Sequence, residues 1–165
     1  MTSTFRNPST LITQQREKLI ELLSGDLDFH KNSSREFTHD LHAFPAKFPP
    51  QLPRLFIQEL TEHGDRVLDP MAGSGTTTVE AYVANRRALA FDIDPLALRL
   101  NEIKTSTVSP IDLLTCGRSV LHHAKTHISQ STNHLFDEKT SDFIDYWFHP
   151  DAQQELTALL NAIHH

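Results

Sequence analysis

The sequence predicts an α/β fold, built on two strands of a doubly wound parallel sheet with added N- and C-terminal helices. Three observations carry that expectation. The apolar run Val67-Leu68-Asp69 ends in an acid and breaks into the small-residue turn Pro70-Met71-Ala72-Gly73-Ser74-Gly75. A second run, Arg87-Ala88-Leu89-Ala90-Phe91-Asp92, reads as the next buried strand and again ends in an acid. Between them, Thr77 to Asn85 forms a crossover helix without spare residues, the connection that parallel neighbours require.

The remaining elements follow in order. Thr10 to Leu23 reads as an amphipathic helix (Leu11, Ile12, Leu19, Ile20, Leu23) that stops near Gly25. Asp26 to Arg35 is a polar connector into a proline-rich stretch. Leu52 to His63 carries Leu52, Leu55, Phe56 and Leu60 on one helical side, and Gly64 ends it just before the first strand, Arg66 to Asp69. After the second strand, Asp94 is placed as the N-cap of a helix over Pro95 to Lys104, with Pro95 at its first position. Beyond Thr105 the pattern turns helical and polar. Ile111 to His127 and Asp151 to Ile163 are the expected helices, the second with an apolar stripe of Leu156, Leu159, Leu160 and Ile163. This gives an N-terminal helical extension over 1–35, a ligand-binding part over 36–105 and a helical segment over 106–165. A doubly wound sheet generally needs about five strands or more, covered on both faces, so two strands imply that others come from elsewhere.

Composition sets limits. With 165 residues, 38% of them hydrophobic, the chain can bury one core, so the shortage of strands is visible in pattern and not in length. No run of about eighteen apolar residues occurs, and Met1 to Thr10 is polar, so neither a membrane span nor a leader is expected and a cytoplasmic location is. Cys116 is the single cysteine, which excludes an internal disulfide and favours a small buried helix residue. His39 and His42 are three apart and His122 and His123 are adjacent, yet neither pair has a Glu or Cys spaced to close a tetrahedral site, so no metal is expected. The net charge of −6 argues against this segment gripping a phosphate backbone by itself. Residues 1–60 hold seven basic and seven acidic groups, whereas 61–165 hold eight and fourteen, so the acidic excess belongs to the turn region and the later helices. Tyr146-Trp147-Phe148 is expected to pack its helix against the domain in preference to stacking on bases.

The turn is the candidate site. Asp69 stands at the carboxyl end of a strand, Gly73 and Gly75 remove side chains that would block close approach, and Thr76 opens a helix whose free N–H groups face the turn. Asp92 lies about twenty residues past the glycines, where open α/β folds place a ribose-binding carboxylate. Thr78 occupies the place of a third glycine, and no Gly-Lys-Ser/Thr follows, so pyrophosphate binding is disfavoured. Two carboxylates without a phosphate-binding lysine suit a ligand with a ribose and a cationic, amine-bearing tail. S-adenosylmethionine has that make-up, with Asp69 near the methionine ammonium, the glycines under the tail, Asp92 on the ribose hydroxyls and Ile93 free to pack on adenine.

These residues carry a resemblance. Asp69-Pro70-Met71-Ala72-Gly73-Ser74-Gly75-Thr76-Thr77 and Phe91-Asp92-Ile93-Asp94-Pro95 resemble motifs I and II of the amino-group DNA methyltransferases. His42-Ala43-Phe44-Pro45-Ala46-Lys47-Phe48-Pro49-Pro50 resembles the preceding motif X, which closes over the methionine end of the cofactor. The likeness spans about His39 to Thr105, and Asp145-Tyr146-Trp147-Phe148 is similar to the helical segment these enzymes carry before their catalytic strand. It implies a Rossmann-like methyltransferase fold, incomplete here, that binds S-adenosylmethionine through Phe44, Pro45, Ala46, Lys47, Asp69, Pro70, Ala72, Gly73, Ser74, Gly75, Thr76, Asp92 and Ile93. For Lys47 two readings stay open: partner of the cofactor carboxylate, or solvated lysine between two phenylalanines.

The family methylates through an Asp/Asn/Ser-Pro-Pro-aromatic tetrapeptide, and the chain has none. Phe48-Pro49-Pro50-Gln51 has the wrong flanks and Ser109-Pro110-Ile111 lacks the second proline. That motif accepts hydrogen bonds from the exocyclic amine of a flipped base so that its nitrogen can meet the methyl group in line. No catalytic residue is therefore assigned. The resemblance implies the cofactor-binding N-terminal part of a site-specific enzyme of restriction-modification, inactive alone, with cytosine N4 ahead of adenine N6 as acceptor. It would reach DNA through the complete enzyme and need a complementary C-terminal chain or missing half. Two other readings stand beside it: part of an RNA guanine-N2 methyltransferase, which shares Asp-Pro-x-x-Gly-x-Gly-Thr, and a non-catalytic remnant acting through a partner chain.

Overall fold

A computed structural model describes residues 8–130 and 136–164. The leader expectation for Met1 to Thr10 falls largely outside them. The chain divides into two compact units, Met1–Ser106 and Thr107–His165. The first contains α1 (Pro8–Leu23), α2 (Gln51–Leu60), β1 (Arg66–Asp69), α3 (Thr76–Val83), β2 (Arg87–Ala90) and α4 (Pro95–Thr105). The second contains α5 (Pro110–His127), a single 3-10 turn (Ile128–Gln130), α6 (Glu138–Trp147) and α7 (Pro150–His164). No helix among the described residues is long and apolar enough to cross a membrane.

The sheet of the first unit is the expected parallel pair, with β1 and β2 in register from Arg66 opposite Arg87 to Asp69 opposite Ala90. Side chains alternate across it. Val67, Asp69, Ala88 and Ala90 are half-buried, and the crossover helix α3 packs against both strands. Leu68 and Leu89, directly opposite one another, are exposed, and Phe91 beyond them is exposed as well. One face of the sheet is thus covered and the other is bare.

Several boundaries differ from the sequence expectation for identifiable reasons. β2 ends at Ala90, not at Asp92. The Phe91 amide still donates to Asp69 O (2.9 Å), but Phe91 O accepts from the Ala72 amide (2.9 Å), so the chain leaves the ladder to bind the turn. α2 ends at Leu60, not at His63, because Thr61 is extended (φ −130°) and is held there by the Arg86 guanidinium, which donates to Thr61 Oγ1 (2.9 Å) and Thr61 O (2.7 Å). α3 begins at Thr76 and ends at Val83, and Asn85 takes the left-handed conformation (φ 59°) in the tight link to β2. Asp94 caps α4 as expected, its Oδ1 accepting from the Leu96 amide (2.8 Å).

A buried charged cluster joins the connector, α2 and α3. Glu80, only 1% exposed, accepts from Arg54 at both oxygens, Nε to Oε2 (2.8 Å) and Nη2 to Oε1 (3.0 Å), and His39 Nε2 lies 2.8 Å from Oε1. Arg54 Nη2 also donates to Glu36 (2.7 Å). Burying ionised groups is costly unless each is paired, and Glu80 meets that condition by accepting three hydrogen bonds. At the outer edge of this unit, α1 joins α2 through Lys18 and Glu59 (2.9 Å), and Ile12, Ile20 and Leu23 of its expected apolar stripe are exposed.

In the second unit α5 and α7 pack through alanines. Ala124, Ala158 and Ala162 are buried, with Val120, Ile128 and Leu159 against them. Of the stripe expected on α7 only Leu159 joins this contact, whereas Leu156, Leu160 and Ile163 are exposed; the small side chains form the closer seam. Cys116 is exposed, correcting its expected burial. It lies two turns before Ala124 on α5, beside the end of α7, where Ala162 and Ile163 border the same hollow. Tyr146 and Trp147 are also exposed and pair with each other edge-on at 5.1 Å, because successive residues on a helix cannot share one face. Phe148 is partly exposed and borders a hollow with Ile144 and Leu156.

Replacing Glu80 with Ala leaves Arg54 and His39 without their buried acceptor and is expected to cost about 3 kcal/mol. Urea unfolding measures this, and a loss below about 1 kcal/mol contradicts the role given to the cluster. Burial by itself raises the Glu80 pKa, but hydrogen bonds from His39 and Arg54 outweigh it and hold the carboxyl below its ordinary 4.5. Its folded pKa being depressed, its stabilisation is complete above the unfolded value and fades as pH falls below about 4.5. The wild-type chain should therefore lose stability in that acid range more steeply than Glu80→Ala.

Candidate functional site

The turn after β1 is built mostly from backbone. Asp69 Oδ1 accepts from the Met71 amide (3.1 Å), folding Pro70 and Met71 back over the strand end. The Gly75 amide donates to Ala72 O (2.8 Å), and Gly73 and Gly75 are both left-handed, at φ 49° and 82°. Gly75 precedes α3, whose first described hydrogen bond runs from the Val79 amide to Gly75 O (3.0 Å), so the amides of Thr76 to Thr78 have no partner within the helix. Ala72, Ser74, Gly75 and Thr76 are buried.

The second acid is tied directly into this turn. Asp92 Oδ2 accepts from the Gly73 amide (2.7 Å) and Oδ1 from the Asp94 amide (2.9 Å). These two amides, Asp94 first, hold the Asp92 carboxyl below the usual carboxylate range, so it is ionised near neutrality. Two of its roughly four lone-pair sites are engaged, which leaves it able to accept further hydrogen bonds. Ile93, next to it, is 100% exposed.

The proline-rich stretch closes on the same turn. The Phe44 ring lies so near Gly73 that a Cβ added there would stand 3.6 Å from it. Pro45, Ala46 and Lys47 are exposed, and Ala46 is left-handed at φ 57°. Lys47 Nζ donates to His39 O (2.9 Å) and His42 O (3.4 Å), which ties the stretch to its own start. The structure thus gathers Phe44, Gly73 and Asp92 at one place and joins Asp69 to it through the strand pair.

Sequence reasoning missed the residues behind the turn. Asn101 on α4 donates from Nδ2 to Gly73 O (3.0 Å) and Ala97 O (2.8 Å), and its Oδ1 accepts from Thr78 Oγ1. Lys104, one turn on, donates from Nζ to Ser74 O (2.8 Å), and its own carbonyl accepts from Thr38 Oγ1 (3.0 Å). The signal was present: Ala97, Leu100, Asn101 and Lys104 recur at helical spacing, and all four are buried, so two polar residues occupy an inward stripe. A separate hollow of about 550 Å³ lined by Gln14, Lys18, Glu59 and Asp65 includes none of the turn residues. Among the described residues no group of three or more His, Cys, Asp or Glu could hold a metal ion.

The two glycines should differ in tolerance. A Cβ at Gly75 would stand 2.7 Å from Asn101 Oδ1 and 3.3 Å from its Cα, on a left-handed residue. Gly75→Ala is expected to destabilise by about 3 kcal/mol, and Gly73→Ala, which meets only ordinary contact, by about 1 kcal/mol. Thermal unfolding of the two variants checks the order, and equal losses contradict the close approach of Asn101.

Comparison with known proteins bears on this geometry. The family model described as DNA methylase matches residues 14–102, more than half of the chain. The chain is 28% identical to the Type II methyltransferase M.MvaI of Kocuria varians over 143 residues, covering 83% of this chain and 32% of that protein. It is 36% identical to the Type II methyltransferase M.MjaII of Methanocaldococcus jannaschii over 91 residues, covering 53% of this chain and 17% of that protein. Among solved structures, a PvuII DNA methyltransferase (cytosine-N4-specific) is similar at 27% identity and a TM-score of 0.41, over 51% of this chain and 32% of that one. The chain therefore spans about a third or less of the length of these relatives. It belongs to the DNA methylase family.

Proposed function

We propose that the chain is the S-adenosylmethionine-binding N-terminal part of a site-specific DNA methyltransferase that modifies an exocyclic base amine. The observation that carries this is the corner itself: an ionised Asp92 hydrogen-bonded to the Gly73 amide, beside a wholly exposed Ile93 and below Phe44. Those residues fit the cofactor. Gly73 and Gly75 lie under its amino-acid tail, Asp69 meets the ammonium, Asp92 accepts from the ribose hydroxyls, and Ile93 packs on adenine. Phe44 to Lys47 close over the methionine end. When bound, the cofactor supplies a methyl group on a sulfonium, which needs only an in-line nucleophile.

The acceptor side is proposed to lie outside this chain. No Asp/Asn/Ser-Pro-Pro-aromatic tetrapeptide occurs in it, and the exposed Leu68, Leu89 and Phe91 leave a sheet face without cover. A complementary C-terminal chain or missing half would add strands, cover that face and hold the flipped base, with cytosine N4 ahead of adenine N6. With a net charge of −6, this segment leaves the phosphate contacts to the complete enzyme.

Calorimetric titration with S-adenosylhomocysteine tests the reading. Asp92→Ala is expected to weaken binding about tenfold or more, as loss of charge-assisted hydrogen bonds requires. Unchanged affinity would overturn the assignment of Asp92. Incubated with DNA and methyl-labelled cofactor, the chain alone should incorporate no label, and labelled N4-methylcytosine should appear only after the complementary half is supplied.

A further inference from the structure

The loop that carries Phe44 to the glycine turn is held shut by one side chain. Its foot is fixed from two sides. His39, 2% exposed, has Nε2 2.8 Å from Glu80 Oε1 on α3, and Thr38 Oγ1 donates to Lys104 O (3.0 Å) on α4. Above the foot the chain runs out and returns through residues 43–47, and among the described residues no backbone–backbone hydrogen bond reaches that limb. What brings it back is the Lys47 ammonium, which donates to His39 O (2.9 Å), eight positions away, and to His42 O (3.4 Å). An ammonium has three N–H groups, and two of these are engaged within the loop itself. Directly before Lys47, Ala46 is left-handed (φ 57°), a conformation that a residue with a Cβ keeps only where its surroundings impose it. The result is a short closed loop with its ends together. The Phe44 ring, carried on it, lies 3.6 Å from where a Cβ on Gly73 would stand.

We propose that Lys47 is a positioning residue for the corner: it staples the loop from 39 to 47 closed, so that Phe44 is seated against Gly73 before any ligand arrives. The inference rests on the cofactor reading above, and it assigns the Lys47 ammonium to the backbone of its own loop instead of to the ligand. The effect is preorganisation. A loop left open must be ordered at the moment of binding, and the apparent affinity falls with the fraction of time that it stands closed.

The test uses the full chain and begins without ligand, because an aromatic ring shifts the proton resonances of the residue it covers. Phe44→Leu marks where the Gly73 amide and α-proton resonances fall without the ring. Lys47→Met should move them most of the way to that position, and Lys47→Arg, whose guanidinium can also bridge two carbonyls, should hold them near the wild type. By calorimetry Lys47→Met should then weaken S-adenosylhomocysteine and its decarboxylated analogue by the same factor, about tenfold if the unpinned loop is closed about a tenth of the time, and Lys47→Arg should restore both. Gly73 resonances unmoved in Lys47→Met overturn the staple. Weakening of S-adenosylhomocysteine with the analogue unaffected would show Lys47 contacting the ligand carboxylate, and overturns it as well. Lys47 is exposed, so Lys47→Met should melt no more than about 5 °C below the wild type; a larger fall would show that the bonds support the whole unit and would overturn a role confined to the loop. A wild type that binds neither ligand overturns the cofactor reading and the positioning role with it, whereas the Gly73 resonances decide on the staple alone.

Discussion

The hydrogen bond from the Gly73 amide to the Asp92 carboxylate, 2.7 Å long, is the constraint on which the corner depends. It fastens the loop leaving one strand to the chain leaving its parallel neighbour, so the two acids are held as one unit instead of by two independent loops. Gly73 is left-handed where it makes this bond, a conformation that glycine adopts without the penalty that other residues meet. It also keeps Asp92 ionised, since the carboxylate is stabilised by two amides while half of its acceptor capacity stays unused. On the proposed reading, the carboxylate that braces the turn is also the group that receives the ribose hydroxyls.

Such a turn would be soft if it stood alone, because three of its residues from 73 to 75 have no large side chain to pack. The fold stiffens it from behind. Asn101 and Lys104 take up the carbonyls of Gly73 and Ser74 from α4, and Gly75 lies against Asn101 too closely for any side chain. In front, the proline-rich stretch is anchored by His39 on Glu80, which Arg54 also grips from α2. α4 thus backs the loop, and α2 and α3 hold the segment in front of it. The buried Glu80 carboxylate is held by both partners at once, and loss of either would leave a buried charge without its full set of donors.

Much of this was legible in the sequence, for reasons that are local. The strand pair, the glycine turn and the cap at Asp94 are each written in adjacent residues, where an apolar run, a positive-φ turn or an Asp-Pro step speaks for itself. The parallel pairing followed from a crossover helix of the right length. What stayed hidden depends on residues brought together across the chain: Glu80 with His39 is a separation of 41 positions, and Lys104 with Ser74 of 30. Boundaries slipped where a tertiary bond cut an element short, as Arg86 does at Thr61. The second unit misled for another reason. Its leucines advertise an apolar face, but alanines permit closer approach, so Ala158 and Ala162 make the seam while Leu156, Leu160 and Cys116 are exposed.

The bare sheet face and the backed turn are proposed to form the donor side of a reaction whose remaining strands come with the acceptor site. The most direct measurement of the central claim is a two-dimensional nitrogen–proton NMR titration of the chain with S-adenosylhomocysteine. The account predicts that the amides of Gly73, Gly75, Asp92 and Ile93 shift together along one saturating curve, while those of residues 107–165 hold their positions. Saturable shifts confined to residues 107–165, or none at Gly73 and Asp92 at high ligand concentration, would contradict it.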